Sequence, residues 1–247
     1  MNNNYLCVDI GTTAIKVIEK DDGGKAVKWG ILERPGKPFH SNIQSLEIDD
    51  AARHLKILVE KMGVKTTAAV ASVPGFLALR AEAESPDEKF IPAPAGTFTM
   101  SAIALGLGRY FLVAIPNDIA EKYAKIFQLA DLALEKIEME SAAVARLLAK
   151  DHEPVLIADI GGRSTTLTVA AGGSVQYIAQ TDFALASMDL ASSSQDAQDV
   201  IMKEVERIAH KIWYKKIILC GGGAMLVNQP AYVAPNSLFT IANGLQR

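Results

Sequence analysis

Two short segments of the 247-residue chain place a carboxylate, glycine and hydroxyl residues in the same order. The first is Asp9-Ile10-Gly11-Thr12-Thr13 and the second is Asp159-Ile160-Gly161-Gly162-Arg163-Ser164-Thr165. Glycine lets a backbone approach a phosphate without a Cβ clash, and successive N–H groups in a turn form an anion-binding nest. A carboxylate at the end of a strand suits a Mg²⁺ ion that keeps most of its waters. The segments therefore predict two phosphate-binding turns, with Asp9 and Asp159 holding Mg²⁺ through water.

Each segment taken alone fits an ordinary Gly/Thr hairpin turn better than a phosphate site, because short motifs produce false positives. Two copies with matching order favour the phosphate interpretation, since duplicated units usually share one site. Lys16, shortly after the first segment, adds a positive charge. The run Gly221-Gly222-Gly223-Ala224 follows a predicted strand and offers a flat backbone surface for an adenine or a ribose.

Apolar patterns deliver both segments to the ends of buried strands. The first segment lies in a predicted βββαβ unit of strands Tyr5–Asp9, Ala14–Lys20 and Lys25–Glu33, helix Asp49–Met62 and strand Thr67–Val73. The second lies in a repeat of strand Pro154–Asp159, a Thr-rich strand to Ala171, strand Ser174–Gln180, helix Gln195–Trp213 and strand Ile217–Cys220. Further predicted helices are Ser141–Lys150 and Ser237–Leu245.

The segment between the two units predicts an inserted subdomain. Pro86–Pro94 is Pro-rich and of mixed charge, so it can continue neither a helix nor a central strand. Strand Arg109–Ile115, a helix over Asp118–Ala130 capped by Asn117, and strand Leu134–Glu138 then predict a compact βαβ insert.

The composition excludes several classes of protein. Hydrophobic residues make up 49% of the chain and charged residues 21%, which is enough to form a buried core. A net charge of -3 without a basic block argues against a nucleic-acid partner. Cys7 and Cys220 sit among apolar residues and are expected to be reduced core thiols, which favours a reducing compartment. With no signal peptide and no membrane-spanning run, the sequence predicts a cytoplasmic protein that reaches a membrane only through a partner.

The three glycine-containing elements resemble the first phosphate, second phosphate and adenosine loops of the actin/Hsp70/sugar-kinase superfamily. Within it, the chain is similar to the PilM family of type IV pilus assembly proteins, relatives of FtsA. Phe90-Ile91-Pro92-Ala93-Pro94 is similar to a segment of that family's inserted subdomain, and Asn236–Arg247 resembles its closing helix. Glu138-Met139-Glu140-Ser141-Ala142-Ala143-Val144-Ala145-Arg146 resembles its strand-to-connecting-helix segment.

This resemblance implies an α/β, actin-like (ribonuclease-H-like) fold with duplicated βββαβ units. It divides the chain into a first core subdomain at 1–77, a small α/β insert at 78–138 and a second core subdomain at 139–247. The second half is reduced, because the family's helical subdomain over the nucleotide is missing between Phe183 and Gln195, and Ala184-Leu185-Ala186-Ser187 replaces the usual Gly-Gly. A half-open site of this kind implies binding without efficient turnover, since hydrolysis needs closure and a positioned water.

The resemblance further implies ATP or ADP, with Mg²⁺, as the cofactor. The implied cofactor-binding residues are Asp9, Gly11, Thr12, Thr13, Lys16, Asp159, Gly161, Gly162, Ser164, Thr165, Glu204, Arg207, Gly221, Gly222, Gly223 and Ala224. Glu204 and Arg207 fit a solvated helix face equally well. Glu140 is the one carboxylate that we nominate as catalytic, so the chain is expected to be at most a slow ATPase.

The implied partner is the extended cytoplasmic N-terminal tail of a PilN-like inner-membrane protein, and self-association is a further expectation. The receptor is expected in a sheet-edge or inter-subdomain groove between the first βββαβ unit and the insert, with Phe90, Ile91, Pro92, Arg109 and Phe111 in its walls. The Pro-rich segment fits a rigid linker equally well.

Two other functions stay open at this point. A small-molecule kinase resembling type III pantothenate kinases or sugar kinases would need a base near the acceptor hydroxyl, and Asp118, Asp131 and Asp182 are poor candidates for it. A third alternative is a fold that has lost its nucleotide, as in the cytoplasmic part of type II secretion platform proteins, and the two intact segments argue against it.

Overall fold

A computed structural model describes residues 3–33, 47–181, 184, 199, 202–203, 205–207, 213–226, 233–234 and 236–247. The chain forms two compact units, one of Met1–Glu140 with Leu245–Arg247 and one of Ser141–Gly244. Among the described residues, no helix is both long enough and apolar enough to cross a membrane.

The first unit is built on a five-stranded sheet in the order β3-β2-β1-β4-β8. Its strands are β1 (Tyr5–Ile10), β2 (Ala14–Lys20), β3 (Ala26–Glu33), β4 (Ala68–Val73) and β8 (Ala133–Met139). β1, β2 and β3 form an antiparallel meander, whereas β4 runs parallel to β1 and β8 runs parallel to β4. This is the βββαβ order that the sequence predicts, and its first turn lies between β1 and β2.

Helix α1 (Ile48–Met62) covers one side of this sheet. Its buried residues Ala51, Ala52, Leu55 and Leu58 recur at helical spacing, and it ends at Gly63 with φ 61°. A Cβ atom at Gly30 of β3 would lie 2.8 Å from Met62 Sδ and 2.9 Å from Leu58 Cδ1. Glycine at position 30 therefore lets the helix approach the strand closely.

The insert is a three-stranded antiparallel sheet in the order β5-β7-β6. Its strands are β5 (Leu79–Ala83), β6 (Phe98–Gly106) and β7 (Arg109–Pro116). One buried cluster holds it together, formed by Ala83, Ile91, Phe98, Leu112 and Ala114. The Pro-rich segment, with its short 3-10 helix at Glu88–Phe90, contributes Ile91 to this cluster.

The predicted βαβ insert over Arg109–Glu138 is wrong. β8 pairs with β4 in the five-stranded sheet, and helix α2 (Asn117–Leu129), which precedes β8, contacts α1. The apolar run Ala102–Pro116 is a hairpin that turns at Leu107 and Gly108, both with positive φ. The prediction assumed that the two strands on either side of α2 pair with each other because they are consecutive in sequence. It also missed strand β6, which consists largely of small residues with little alternation between apolar and polar positions.

The second unit repeats the first in its strand order. Its sheet has the order β11-β10-β9-β12, with β9 (Val155–Ile160), β10 (Thr165–Ala171), β11 (Ser174–Thr181) and β12 (Lys216–Cys220). β9, β10 and β11 are antiparallel and β12 is parallel to β9. Residues 202–203 and 205–207 are helical, and most of the predicted helix Gln195–Trp213 lies outside the described residues.

Helix α3 (Glu140–Leu148) enters the second unit and helix α4 (Thr240–Gly244) ends it. A Cβ at Gly244 would lie 2.2 Å from the Ala143 carbonyl oxygen, so α4 can cross α3 closely only because residue 244 is glycine. The last residues belong to the first unit, where the Leu245 carbonyl accepts hydrogen bonds from Lys20 Nζ at 3.0 Å and Cys7 Sγ at 3.5 Å.

The burial of Ile91 predicts that it stabilises the insert. Ile91→Ala should lower the free energy of unfolding of this sheet by about 2–4 kcal/mol, because it leaves a cavity among buried side chains. The exposed neighbour Pro92 is the matched control, and Pro92→Ala should cost less than about 1 kcal/mol. Hydrogen exchange of the β7 amides measures both effects. Equal protection factors in the two variants would show that Ile91 is not a core residue.

Candidate phosphate-binding turns

The two predicted turns have the same backbone geometry. Gly11 N–H donates to the Ala14 carbonyl at 2.9 Å, and Gly161 N–H donates to the Ser164 carbonyl at 2.9 Å. A Cβ would lie 3.1 Å from that carbonyl oxygen at Gly11 and 3.0 Å from it at Gly161. Both contacts are tight, so glycine serves the same steric purpose in both turns.

The tips of both turns leave backbone donors available. Within the described ranges, no acceptor bonds the N–H groups of Thr12 and Thr13 in the first turn or of Gly162 and Arg163 in the second. Thr12 and Gly162 are half-buried, and Thr13 and Arg163 are exposed. Adjacent unbonded N–H groups at a glycine turn suit an anion, so the donor set of each turn fits a phosphate.

The Asp9 carboxylate is buried and held from two sides. It is 1% exposed, and its Oδ2 accepts from Lys16 Nζ at 3.1 Å while its Oδ1 accepts from Ser72 Oγ at 2.9 Å. Lys16 lies directly opposite Asp9 in the β1–β2 ladder. Each oxygen keeps acceptor capacity, so Asp9 fits a contact with metal-bound water better than direct ligation of a metal.

Ser72 is a site residue that the sequence analysis missed. It occupies the next-to-last position of β4, one residue past the parallel pair Val8 and Ala71, which brings it beside Asp9. Two inferences together could have found it, namely that β4 pairs with β1 in parallel and that a hydroxyl at its end would bond a buried carboxylate.

Asp159 has a different environment. It is half-buried, and its neighbours in the sheet are Thr166 of β10 and Cys220 of β12, both buried. A Cβ at Gly221 would lie 2.4 Å from Asp159 Oδ1 and 2.6 Å from the Ile160 carbonyl oxygen. Thr166 therefore lies opposite Asp159 where Lys16 lies opposite Asp9, and neither sheet neighbour of Asp159 carries a positive charge.

The glycine run packs chiefly against its own unit. Gly221 has φ 78° and donates to the Ser237 carbonyl at 3.0 Å, while a Cβ at Gly223 would lie 2.1 Å from Ile160 Cγ2. Gly221, Gly223 and Ala224 are buried, and only Gly222 is half-buried. The expected flat surface for adenosine is thus reduced to the neighbourhood of Gly222.

Glu140 and Tyr123 are two candidate acid–base groups in the first unit. Tyr123 is 1% exposed, and burial raises its pKa well above the ordinary value, with the charges of Glu140 and Asp9 adding to the shift. Tyr123 therefore stays neutral at physiological pH. Glu140, the first residue of α3, is half-buried and lies within electrostatic reach of that hydroxyl.

Both cysteines are buried, and neither forms a disulfide. Burial raises the pKa of the Cys7 thiol to about 12, against the opposing charge of Lys20 and with reinforcement from Glu138. A thiol with this pKa is almost entirely protonated at neutral pH and is a poor nucleophile. Cys7 thus has the inert core role that the sequence predicts.

Two predicted cofactor-binding residues remain, Glu204 and Arg207. Arg207 is exposed on a helical segment, and Glu204 lies outside the described residues. Across the described part of the chain, no group of three or more His, Cys, Asp or Glu residues could hold a metal directly.

The five predicted partner-binding residues divide by exposure. Ile91 and Phe111 are 4% and 5% exposed, and Ile91 belongs to the core cluster of the insert, whereas Phe90, Pro92 and Arg109 are exposed. Arg109 forms an ion pair with Glu82 on the neighbouring strand β5. Because β7 is paired on both sides, it cannot accept a further strand, so a receptor at Arg109–Ile115 would have to be a groove and not a sheet edge.

The contact between Gly221 and Asp159 predicts a steric cost that a second glycine isolates. Gly221→Ala should destabilise the protein by about 1–3 kcal/mol more than Gly96→Ala, because overpacking is added to the left-handed strain that the two share. Gly96 has φ 79° and nothing within 4 Å of its Cβ position. Urea unfolding of both variants measures the difference. Equal urea midpoints in the two variants would show that Gly221 does not pack against the Asp159 carboxylate.

No family profile and no curated protein matches the sequence. The fold, however, is shared with known structures. A chain of a PilM-PilN type IV pilus biogenesis complex matches with TM-score 0.77 and 15% identity, over 99% of this chain and 98% of that one. The ethanolamine utilization protein EutJ from Carboxydothermus hydrogenoformans matches with TM-score 0.66 and 16% identity, over 99% and 89%. MreB5 of Spiroplasma citri bound to ADP matches with TM-score 0.53 and 14% identity, over 98% and 94%. The chain therefore has the actin-like α/β fold that its sequence predicts.

Proposed function

We propose that this protein is a nucleotide-binding, actin-like scaffold of type IV pilus assembly or a related secretion system. The observation that carries the proposal is the match in fold with a chain of a PilM-PilN complex along nearly the whole of both chains. The two equivalent glycine turns support it, because they occupy corresponding strand ends in the duplicated units.

Both turns bind phosphate groups of ATP or ADP in this proposal. The N–H groups of Thr12, Thr13, Gly162 and Arg163 are donors for phosphate oxygens, and the side chains of Thr13 and Ser164 add hydroxyl groups. Gly222 is the member of the glycine run that is open to an adenosine. The match with an MreB5 that holds ADP supports this cofactor, since it shows that the fold accepts one.

Lys16 and Ser72 fix the orientation of the Asp9 carboxylate in the proposed site. Because they bond one carboxylate oxygen each, Asp9 stays oriented at the end of β1 and can accept from the waters of a Mg²⁺ ion. Asp159 has the corresponding position at the end of β9 and would hold Mg²⁺ through water in the same way. A bound Mg²⁺ neutralises part of the phosphate charge.

The chain is at most a slow ATPase in this account. Glu140 is the nominated catalytic carboxylate, and the family's lid over the nucleotide is shortened between Phe183 and Gln195. A small-molecule kinase is less well supported, because Asp118 is exposed on α2 and Asp131 is exposed and paired with Lys56 at 2.7 Å. Asp182, the third candidate base, lies outside the described residues.

The proposed partner is the cytoplasmic tail of a PilN-like inner-membrane protein, which the sequence resemblance implies and which the match with a chain of a PilM-PilN complex supports. The protein would then act in the cytoplasm, peripheral to the inner membrane through that partner. Phe90, Pro92 and Arg109 are the receptor residues available for it, since all three lie on the surface of the insert. Lys89 Nζ lies 5.1 Å from the centre of the Phe90 ring and 3.0 Å from Asp87 Oδ2, so the apolar ring lies beside an ion pair on this surface.

Nucleotide binding is tested by calorimetric titration with Mg·ATP. Asp9→Asn and Asp159→Asn should each weaken binding at least about tenfold, because an amide lacks the charge that attracts metal-bound water. Asp49→Asn, which removes an exposed carboxylate of α1, is the matched control and should bind as the native protein does. In EDTA, the native protein and the two site variants should bind ATP equally weakly. Native-like binding of Mg·ATP by both site variants would sink the site assignment.

The partner is tested with the N-terminal peptide of the membrane protein encoded beside this one. Phe90→Asp should weaken peptide binding about tenfold or more, because it removes an exposed aromatic anchor without disturbing the core of the insert. Leu107→Asp removes another exposed apolar residue, at the β6–β7 turn, and should leave the affinity unchanged. Fluorescence anisotropy of the labelled peptide gives both constants. If the peptide binds neither variant less tightly than native protein, the Phe90 surface is not the receptor.

A further inference from the structure

The insert sheet has two edges of opposite character. β7 is its central strand, so β5 and β6 are the edges, and no described strand pairs with the outer side of β6. β5 carries Arg80 and Glu82, whereas the nine residues of β6, with the sequence FTMSAIALG, include no charge. Charges on an edge strand discourage pairing with another chain, and β6 lacks this protection.

The side chains of β6 leave the strand accessible. Phe98 anchors its start in the core at 7% exposure, while Thr99, Ser101, Ala102 and Ala104 are exposed. Pairing with β7 is regular from Phe98 to Ala104, and the register shifts only after that. Residues 98–104 therefore present a regular, uncharged backbone edge to solvent.

The other edge strands of the described sheets are guarded. β3 carries Lys28 and Glu33 and has a bulge in its ladder with β2. β8 carries three charged residues, and Glu135 among them is paired with Arg247. β12 carries Lys216 and bridges to Val233. β11 is uncharged, but a bulge interrupts its ladder and only Gln176 and Tyr177 along it are exposed.

We propose that β6 is a self-association surface at which a second copy of the chain pairs antiparallel about a two-fold axis through Ser101. In this register Ser101 opposes Ser101 of the second copy, Met100 opposes Ala102, Thr99 opposes Ile103 and Phe98 opposes Ala104. The members of each pair lie an even number of residues apart, so both point to the same face and the two sheets join into one. The regular stretch 98–104 is centred on Ser101, which fixes the register.

Charge and side-chain size favour a second copy over a foreign peptide. Self-pairing places every residue opposite a residue of the same strand, and an uncharged strand meets no like charge. An added peptide gains specificity from pockets for alternate side chains, and Ser101, Ala102 and Ala104 are too small to form them. A contact limited to one strand edge is small, so the dimer is weak and forms at high concentration. This inference does not rest on the proposed function.

Cysteine cross-linking tests the register. Ser101→Cys should form a disulfide-linked dimer under mild oxidation, because the two-fold axis brings residue 101 opposite its copy at about 4.5–5.5 Å between Cβ atoms. Thr99→Cys is the matched control on the same strand and face. Its two copies would be about 14 Å apart along the strand, too far for a disulfide. Native Cys7 and Cys220 are buried and supply a low background. Equal cross-linking of both variants, or of neither, would overturn the register.

Sedimentation velocity over a range of concentrations tests the surface itself. The native protein should shift from monomer toward dimer, and Ser101→Lys should raise the dimer dissociation constant about tenfold or more by opposing two ammonium groups. Ala26→Lys adds the same charge at an exposed position of β3 and should leave the constant unchanged. A native protein that stays monomeric, or a dimer insensitive to Ser101→Lys, overturns the proposal. A monomer whose affinity for the membrane protein's tail peptide falls in Ser101→Lys would assign β6 to that peptide instead.

Discussion

The buried carboxylate of Asp9 is the constraint on which the first half of the molecule depends. A carboxylate at 1% exposure is tolerated only with bonded partners, and Lys16 on one neighbouring strand and Ser72 on the other supply them. Loss of one partner of a buried ion pair typically costs about 3–5 kcal/mol of stability. Because Lys16 lies on β2 and Ser72 on β4, their bonds to Asp9 also hold the register of β1 against these two strands. The turn between β1 and β2 takes its shape from that register, and its free N–H groups point to anion chemistry.

The second half reaches the same backbone shape with different chemistry. Gly161 bonds Ser164 as Gly11 bonds Ala14, but the neighbours of Asp159 in the sheet are Thr166 and Cys220, and Gly221 lies against its carboxylate. The Asp9 carboxylate is thus bonded by side chains of both neighbouring strands, whereas the backbone of Gly221 packs against the Asp159 carboxylate. The two units therefore share the turn but not the surroundings of its carboxylate. Asp9 is buried and paired with Lys16, and Asp159 is more accessible.

The sequence alone predicted the strands of both units and helix α1 almost to the residue, because buried strands and glycine turns leave strong local patterns. It failed where the answer depends on which strands pair: β8 returns to the sheet of β4, and Ile91 is in a core that no local pattern indicates. Ser72 was missed for the same reason, since its role exists only once β4 lies beside β1. The glycine run was predicted as a ligand surface, although two of its three glycines are required by the approach of β9.

Both turns are proposed to bind nucleotide phosphates. The most direct measurement is a titration of ¹⁵N-labelled protein with Mg·ADP, followed by the backbone amide resonances. The account predicts that the amides of Thr12, Thr13, Gly162 and Arg163 shift together along a single binding curve, while those of the exposed turn at Gly96 do not move. Binding that shifts the amides of only one turn, or of neither, would contradict it.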